Sequence, residues 1–259
     1  MNRIRDQVVL ITGATSGIGE ACARRFAREG AHLVLWARRV DRLKRLADEL
    51  TEAHGVTVRM RQLDVRDRDD VAAAARELRD DGVTPAVLVN NAGLAAGLAP
   101  FHESDPTDWD RMIDTNVKGL LNVTHAILPL MIAADRGHVI NIGSTAGHLA
   151  YPKGNVYAAT KYAVRALTEG MNLDAAGTPV RISSVDPGFV ETEFSLVRFS
   201  GDEDRARQVY AGFQPLSGDD VADAVFYVAN LPEHANILNL VLVPRAQRNV
   251  YVVDREQPS

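Results

Sequence analysis

Seven short runs rich in branched apolar residues recur along the chain, separated by stretches of helical periodicity, and this alternation constrains the fold more than any single motif. The runs are VVLIT (8–12), HLVLW (32–36), VTVRMRQL (56–63), AVLVN (86–90), HVINIG (138–143), VRISSVD (180–186) and LNLVLV (238–243). Between them lie helical patterns such as GEACARRFAREG, VDRLKRLADELTEAHG and DRDDVAAAARELRDDG, which stop at a glycine as helix C-termini do. Strands spaced by helices pair in parallel and bury both faces of the sheet under the crossing helices. The predicted class is α/β: a doubly wound, seven-stranded parallel sheet with helices on both faces.

No Pro/Ser-rich linker, composition shift or solenoid-length repeat divides the 259 residues, so one domain over 1–259 is expected. Its least regular part, PGFVETEFSLVRFSGDEDRARQVYAGFQPLS (187–217), has neither a clean strand nor a clean helix period and is read as a substrate-loop insertion. A formal net charge of −5 with 24% charged residues offers no extended basic face, which argues against a nucleic-acid partner. Cys22 is the only cysteine, so an intrachain disulfide is excluded and a core role in the first helix is expected. The apolar stretch in MNRIRDQVVLITG ends too early for a signal-peptide core, and no window approaches the ~18 apolar residues of a membrane span. A cytoplasmic, membrane-free protein is the expectation. The seven histidines show no H-E-x-x-H or Cys/His spacing, so no metal site is predicted.

The first strand-to-helix corner reads TGATSGIG (12–19), with Gly13, Gly17 and Gly19 spaced G-x-x-x-G-x-G. Glycines there let the chain turn tightly, bring backbone N–H groups toward an anion, and seat the helix close to the strand. The positive end of the helix dipole adds to this, so the corner, with Thr15, Ser16 and Ile18, suits a pyrophosphate. A ligand-free tight turn is the plainer reading of the glycines alone. A dinucleotide site that reads a ribose 2′-hydroxyl carries an acid at the end of the second strand, about 20 residues on. Here the stretch is WARRV, and Arg38 and Arg39 present guanidinium forks suited to a 2′-phosphate. The cofactor reading is therefore NADP(H), against the alternative of two solvated arginines. Asp64 closes the third strand, where it suits the adenine amino group beside Val65, and Asp67 suits the cap of the next helix.

After the fifth strand, Ser144 opens the stretch STAGHLAYPKGNVYAATKYA. Tyr157 and Lys161 stand four apart, so on a helix they share a face. A phenol titrates near pH 10 unperturbed, and a neighbouring ammonium favours its anion. Alone, Y-x-x-x-K is an ordinary helix surface. In order along the chain, however, TGATSGIG, NNAG (90–93), Asn116, Ser144, Y-x-x-x-K and PG (187–188) fall where doubly wound sheets bind ligands, at the C-terminal ends of strands.

Over essentially its whole length the chain resembles the short-chain dehydrogenase/reductases, which have a Rossmann-type fold. The resemblance implies Tyr157 as general acid/base, Lys161 as the residue that lowers its pKa and holds the nicotinamide ribose, Ser144 as orienter of the substrate oxygen, and Asn116 as support for a water relay. It further implies that Asn90, Ala92 and Gly93 line the cofactor and that Pro187, Gly188, Val190 and Thr192 contact its nicotinamide end. The stretches NNAGLAAGLAPFHESDPTDWDRMIDTNVKGL, INIGSTAGHLAYPKGNVYAATK and TEFSLVRFSGD resemble the NADP-dependent 3-hydroxy acid dehydrogenases of the serine and L-allo-threonine type. That subgroup implies a small 3-hydroxy acid or aldehyde substrate and a homotetramer. Related chains act on sulfoacetaldehyde, and 3-oxoacyl, sugar or polyol substrates, or a non-catalytic NADP sensor, stand as alternatives. A substrate carboxylate or sulfonate needs a cation. Arg198 is the candidate, against a salt bridge to Asp202, Glu203 or Asp204. His148 borders this region, with a packing or surface role the plainer reading.

Overall fold

All seven apolar runs become strands of one parallel sheet in the computed structural model, which describes residues 2–256. The elements follow in order β1 (Val8–Thr12), α1 (Gly17–Arg28), β2 (His32–Ala37), α2 (Val40–His54), β3 (Val58–Gln62), α3 (Arg68–Asp80) and β4 (Val87–Asn90). Then come α4 (Pro106–Ile113), α5 (Leu120–Ala133), β5 (Gly137–Ile142), α6 (Asn155–Asp174), β6 (Val180–Pro187), α7 (Glu193–Arg198), α8 (Glu203–Gln208), α9 (Gly218–Ala229) and β7 (Asn239–Leu242). The strand order is β3-β2-β1-β4-β5-β6-β7. The chain winds outward from β1 to β3, then crosses back to lay β4 on the other side of β1. This is the Rossmann-type topology anticipated.

Because successive side chains of a strand point to opposite faces, the strands feed two cores. Val9 and Ile11 of β1, Leu33 and Leu35 of β2 and Ile140 of β5 pack with Phe26 of α1, Leu43 of α2 and Val225 of α9. Leu10, Val34, Trp36 and Val139 turn the other way, onto Val71 of α3 and Ile127 of α5. Fully burying one such side chain is worth about 1.5–3 kcal/mol, and the central strands do it on both faces. Cys22 is completely buried in the first of these cores, and burial pushes its thiol up to about 12, so it packs as a small apolar side chain.

Two features depart from the periodic reading. Helices α4 and α5 form one continuous rod interrupted by a π turn over Asp114–Gly119, the segment that carries Asn116. Wider turns of this kind occur at functional sites and leave the apolar period almost undisturbed. The irregular stretch after β6 contains two short helices, α7 and α8, both N-capped by their own side chains, Thr192 and Asp202. Among the described residues no helix is long and apolar enough to cross a membrane.

Asp67 caps α3 as read: its carboxylate accepts from the backbone N–H groups of Asp69 and Asp70, at 3.1 and 3.0 Å. Asp67→Ala leaves both donors without this partner and is expected to cost about 1 kcal/mol, seen as a lower urea midpoint at unchanged m-value.

Candidate active site

Since β1 and β4 send their crossovers to opposite faces of the sheet, a crevice opens beyond their C-terminal ends. It is a cavity of about 610 Å³. Thr12 and Asn91 hold its floor. The Thr12 hydroxyl oxygen accepts from the backbone N–H groups of Asn91 (3.1 Å) and Ala92 (3.0 Å), and the Asn91 amide donates back to the carbonyls of Thr12 and Gly13.

The glycine corner forms one wall. Gly13 and Gly17 take φ of +64° and +53°, left-handed values that side chains disfavour. A Cβ on Gly19 would lie 2.4 Å from both the Gly13 carbonyl oxygen and the Asn91 amide nitrogen, so this glycine serves close helix-to-loop packing. Gly13, Thr15, Ser16, Gly17 and Ile18 line the cavity, whereas Gly19 lies behind them. Asp67, Asp105 and Ser217 cap α3, α4 and α9 with their side chains, but α1 has no side-chain cap. Its first-turn donors are therefore left for an anion.

Arg38 and Arg39 flank the cavity past the end of β2. Arg39 donates from Nε to the Thr15 hydroxyl (3.2 Å) and from one Nη to the Thr15 carbonyl (3.1 Å). Its other Nη meets Glu193 of α7 at 2.9 Å, and Arg42 meets the same carboxylate at 2.6 Å. Asp64 and Val65 border the same end. The Asp64 carboxylate accepts from the Arg66 guanidinium, which holds its pKa below the usual carboxylate range. Glycine corner, free helix end, arginine pair and elongated cavity together fit an NADP-sized dinucleotide.

Ala92 and Gly93 also line the cavity, as do Pro187, Gly188, Val190 and Thr192, the last packed against Gly17 of the glycine corner. Asn90 and Asn116 are both buried and line none of it. Asn90 donates to Thr124 (2.8 Å) and Asn141 (2.9 Å), tying β4 to α5 and β5. Within the π turn, Asn116 bonds both the N–H and the carbonyl of Leu94 at 2.8 Å and donates to Thr160 at 3.0 Å. Both side chains therefore act on the cavity by fixing the loops around it.

Ser144, Tyr157 and Lys161 converge at the deep end. The Lys161 ammonium is buried, donates to the Ile142 carbonyl at 2.8 Å, and sits 6.0 Å from the Tyr157 ring centre. Burial pulls its pKa down to about 8, against the opposing charge of Asp186. Burial likewise raises the Tyr157 phenol, opposed first by the charge of Arg198 and then by a hydrogen bond with Ser144. Arg198 is thus the cation acting most strongly on the phenol in this arrangement. Its guanidinium stands 5.0 Å from the Tyr157 ring centre and 5.2 Å from that of Phe194, and it donates to the Tyr151 hydroxyl at 3.1 Å. Its buried Nε has no hydrogen-bond partner among the described residues. The acids that compete for it are engaged elsewhere: Glu203 and Asp204 pair with Arg207, and Asp202 caps α8.

Several residues that shape the site escaped the motif reading. Thr12 and Asn91 lie inside quoted motifs, and Tyr151 lies in the Ser144 stretch. The C-terminal segment PRAQRNVYVVDRE, which reads from sequence as a cover for a pocket or a neighbouring subunit, does reach the cavity. Val250, Tyr251 and Val253 line the cavity. Arg255 donates to the carbonyls of Val209 and Ala211, tying that segment onto the loop after α8. His148 lies off the cavity and contacts Asp186 instead.

The profile of the short chain dehydrogenases matches residues 7–202. Sulfoacetaldehyde reductase 2 of Chromohalobacter salexigens is 46% identical over 251 residues, covering 96% of this chain and 99% of that protein. The NADP-dependent 3-hydroxy acid dehydrogenase YdfG of Escherichia coli K12 is 45% identical, covering 93% and 96% of the two chains. The closed form of a serine dehydrogenase complexed with NADP+ superposes with a TM-score of 0.90 at 43% identity, covering 97% of this chain and all of the other. Sequence, topology and the arrangement at the sheet's C-terminal edge agree, and the chain belongs to the short-chain dehydrogenase family.

Proposed function

We propose that this enzyme interconverts small 3-hydroxy acids and the corresponding aldehydes or ketones with NADP(H), using Tyr157 as proton donor and acceptor. The observation that carries the substrate class is Arg198. Among the described residues it is a guanidinium without an acidic partner, its Nε unpaired, turned over the ring of the proton-handling tyrosine. A substrate anion held there leaves its reacting oxygen within reach of Ser144 and Tyr157 only if few atoms separate the two groups. A fork of parallel N–H donors matches a carboxylate best and accepts a sulfonate as well. The similarity to a 3-hydroxy acid dehydrogenase, a serine dehydrogenase and a sulfoacetaldehyde reductase supports the same class.

The glycine corner and α1 would hold the cofactor's pyrophosphate, Arg38 and Arg39 its 2′-phosphate, and Asp64 and Val65 its adenine end. When bound, NADP(H) accepts or supplies the hydride at the substrate carbon. The chain's own residues handle the proton. Ser144 hydrogen-bonds the phenol and orients the substrate oxygen, and Tyr157 donates its proton to that oxygen in reduction or removes it in oxidation. Lys161, anchored on the Ile142 carbonyl, and Arg198 both stabilise the phenolate that results. Asn116 holds the π turn and the Leu94 backbone beside this group, the place from which a water relay would be supported. Exposed apolar residues such as Leu121 and Ile132 of α5 and Leu173 of α6 support self-association, and a cytoplasmic homotetramer is the state proposed from the resemblance to the hydroxy acid dehydrogenases.

Three variants test this reading. Tyr157→Phe is expected to lower kcat by at least about 100-fold while NADP binding, followed by fluorescence titration, stays within about threefold, because the loss is confined to proton transfer. Replacing Arg38 and Arg39 together by alanine is expected to weaken NADP by about 10- to 100-fold and leave NAD within about threefold; equal losses for both would sink the phosphate assignment. Arg198→Lys keeps a charge near the phenol but loses the fork. On a panel of L-serine, L-allo-threonine, 3-hydroxypropionate, isethionate and neutral alcohols, KM for the acids is expected to rise about tenfold or more, with the neutral alcohols unaffected.

A further inference from the structure

Beneath Lys161, facing away from the cavity, lies an acid that the mechanism above does not use. Asp186, at the end of β6, is 1% exposed. A buried carboxylate needs donors, and this one has three: the Ser184 hydroxyl, the Asn239 amide of β7 at 2.6 Å and the His148 imidazole Nε2 at 2.5 Å. The imidazole faces Asp186 in a defined tautomer. The Arg165 guanidinium, a donor only, stands 3.3 Å from His148 Nδ1, which therefore accepts and leaves the proton on Nε2.

The position of Asp186 relative to the proton-handling group is set by Gly143. A Cβ on Gly143 would lie 1.9 Å from the Asp186 carboxylate oxygen, so the acid fills the space a side chain there would take. The preceding residue, Ile142, carries the carbonyl that receives the Lys161 ammonium. Cation and acid thus stand at adjacent residues of β5 in a water-poor region, where charges are weakly screened. The other charged or titratable groups nearby are Tyr157, Arg165 and Glu169 of α6, the last two paired at 3.1 Å, His148, and, facing the phenol, Arg198 of α7, 5.0 Å from the Tyr157 ring centre and bonded to Tyr151; β7 supplies only the neutral Asn239 amide.

Building on the roles proposed above for Tyr157 and Lys161, we infer that Asp186 is a positioning residue for the reaction: a buried counter-charge, held by His148, Asn239 and Ser184, that keeps Lys161 cationic beside Tyr157. The chain of effects runs from carboxylate to ammonium to phenol. Without the negative charge, the buried ammonium gives up its proton more readily, the phenolate loses its support, and Tyr157 titrates at higher pH. The rising limb of kcat/KM for alcohol oxidation and the falling limb for carbonyl reduction then move upward in pH together. A merely structural role would lower the plateau and leave the limbs in place.

The test measures both limbs for Asp186→Asn and for Asp186→Ser, the second because it removes the charge without turning amide donors toward donors. Thermal melts and NADP affinity within about threefold of the parent identify the folded variants. An upward shift of about one pH unit in both limbs, equivalent to about 1.4 kcal/mol on the phenol, is expected in either neutral variant. A folded variant with limbs within about 0.3 unit of the parent would overturn the inference, since the linkage requires a shift. His148→Gln, which keeps a donor for Asp186 and removes the imidazole, is expected to leave the limbs in place; a shift there would assign the effect to His148 and overturn the inference too. The Tyr157→Phe measurement is a separate control: activity retained in that variant removes the acid/base assignment, whereas activity lost there with unmoved limbs in the Asp186 variants removes only the counter-charge.

Discussion

The crevice between β1 and β4 is the constraint on which everything else rests. A parallel sheet whose crossovers reverse direction must part its loops at the reversal, and the parted loops expose backbone donors that no neighbouring strand can satisfy. The chain answers on two sides. On the floor, Thr12 and Asn91 take up the backbone groups of each other's strand ends. On the wall, three glycines let α1 approach until its uncapped end faces the opening. The same topology that leaves a gap in the sheet thus lines that gap with polarity suited to a phosphate.

How the deep end of the cavity is built follows from its depth. Lys161 is buried, and its tendency to lose a proton there is resisted by one carbonyl hydrogen bond and by the charge of Asp186. Tyr157 suffers the opposite pressure, because burial favours the neutral phenol. An ammonium pushed down and a phenol pushed up both lean toward their neutral forms, so the cations and hydrogen-bond donors facing the phenol decide how readily it ionises. Arg198 enters that balance from the loop after β6, beside the place where the substrate anion is proposed to sit. Binding of the anion and readiness of the phenol are therefore linked through one side chain.

Much of the fold could be read before any coordinate because period-2 and period-3.6 apolar patterns report burial directly. All seven runs became strands within a residue or two, and Asp67 became the cap that its position before α3 suggested. The glycine corner, the arginine pair and Ser144 were legible because each sits just past a strand end, and Tyr157 and Lys161 because their four-residue spacing puts them on one face of α6. Asn90 and Gly19 are expected at the cofactor for the same reason, and Asn116 at a water relay; hydrogen bonds and packing behind the cavity hold all three. Position relative to a strand end locates a residue along the sheet; it does not say whether the side chain faces the cavity or the loop beneath it. The π turn at Asp114–Gly119 was invisible for a related reason, since one wider turn hardly disturbs the apolar stripe. Asp186 drew no notice in the strand VRISSVD, where an acid reads simply as the end of the apolar run.

Net charge proved a poor guide to what the site binds. The chain carries a formal charge of −5, yet the walls of the cavity present Arg38 and Arg39 at one end and Lys161 and Arg198 at the other. Screening explains the difference. Many acids lie at the surface, several of them paired with arginines over exposed contacts, where water and salt dampen their fields within about 10 Å. Arg198 faces a partly enclosed space and has no acid against it among the described residues, so its charge is less screened than those at the surface. The phosphate proposed for Arg38 and Arg39 and the substrate anion proposed for Arg198 would each meet a cation in an otherwise acidic protein, so the local charge of the cavity and not the sign of the whole chain bears on what enters.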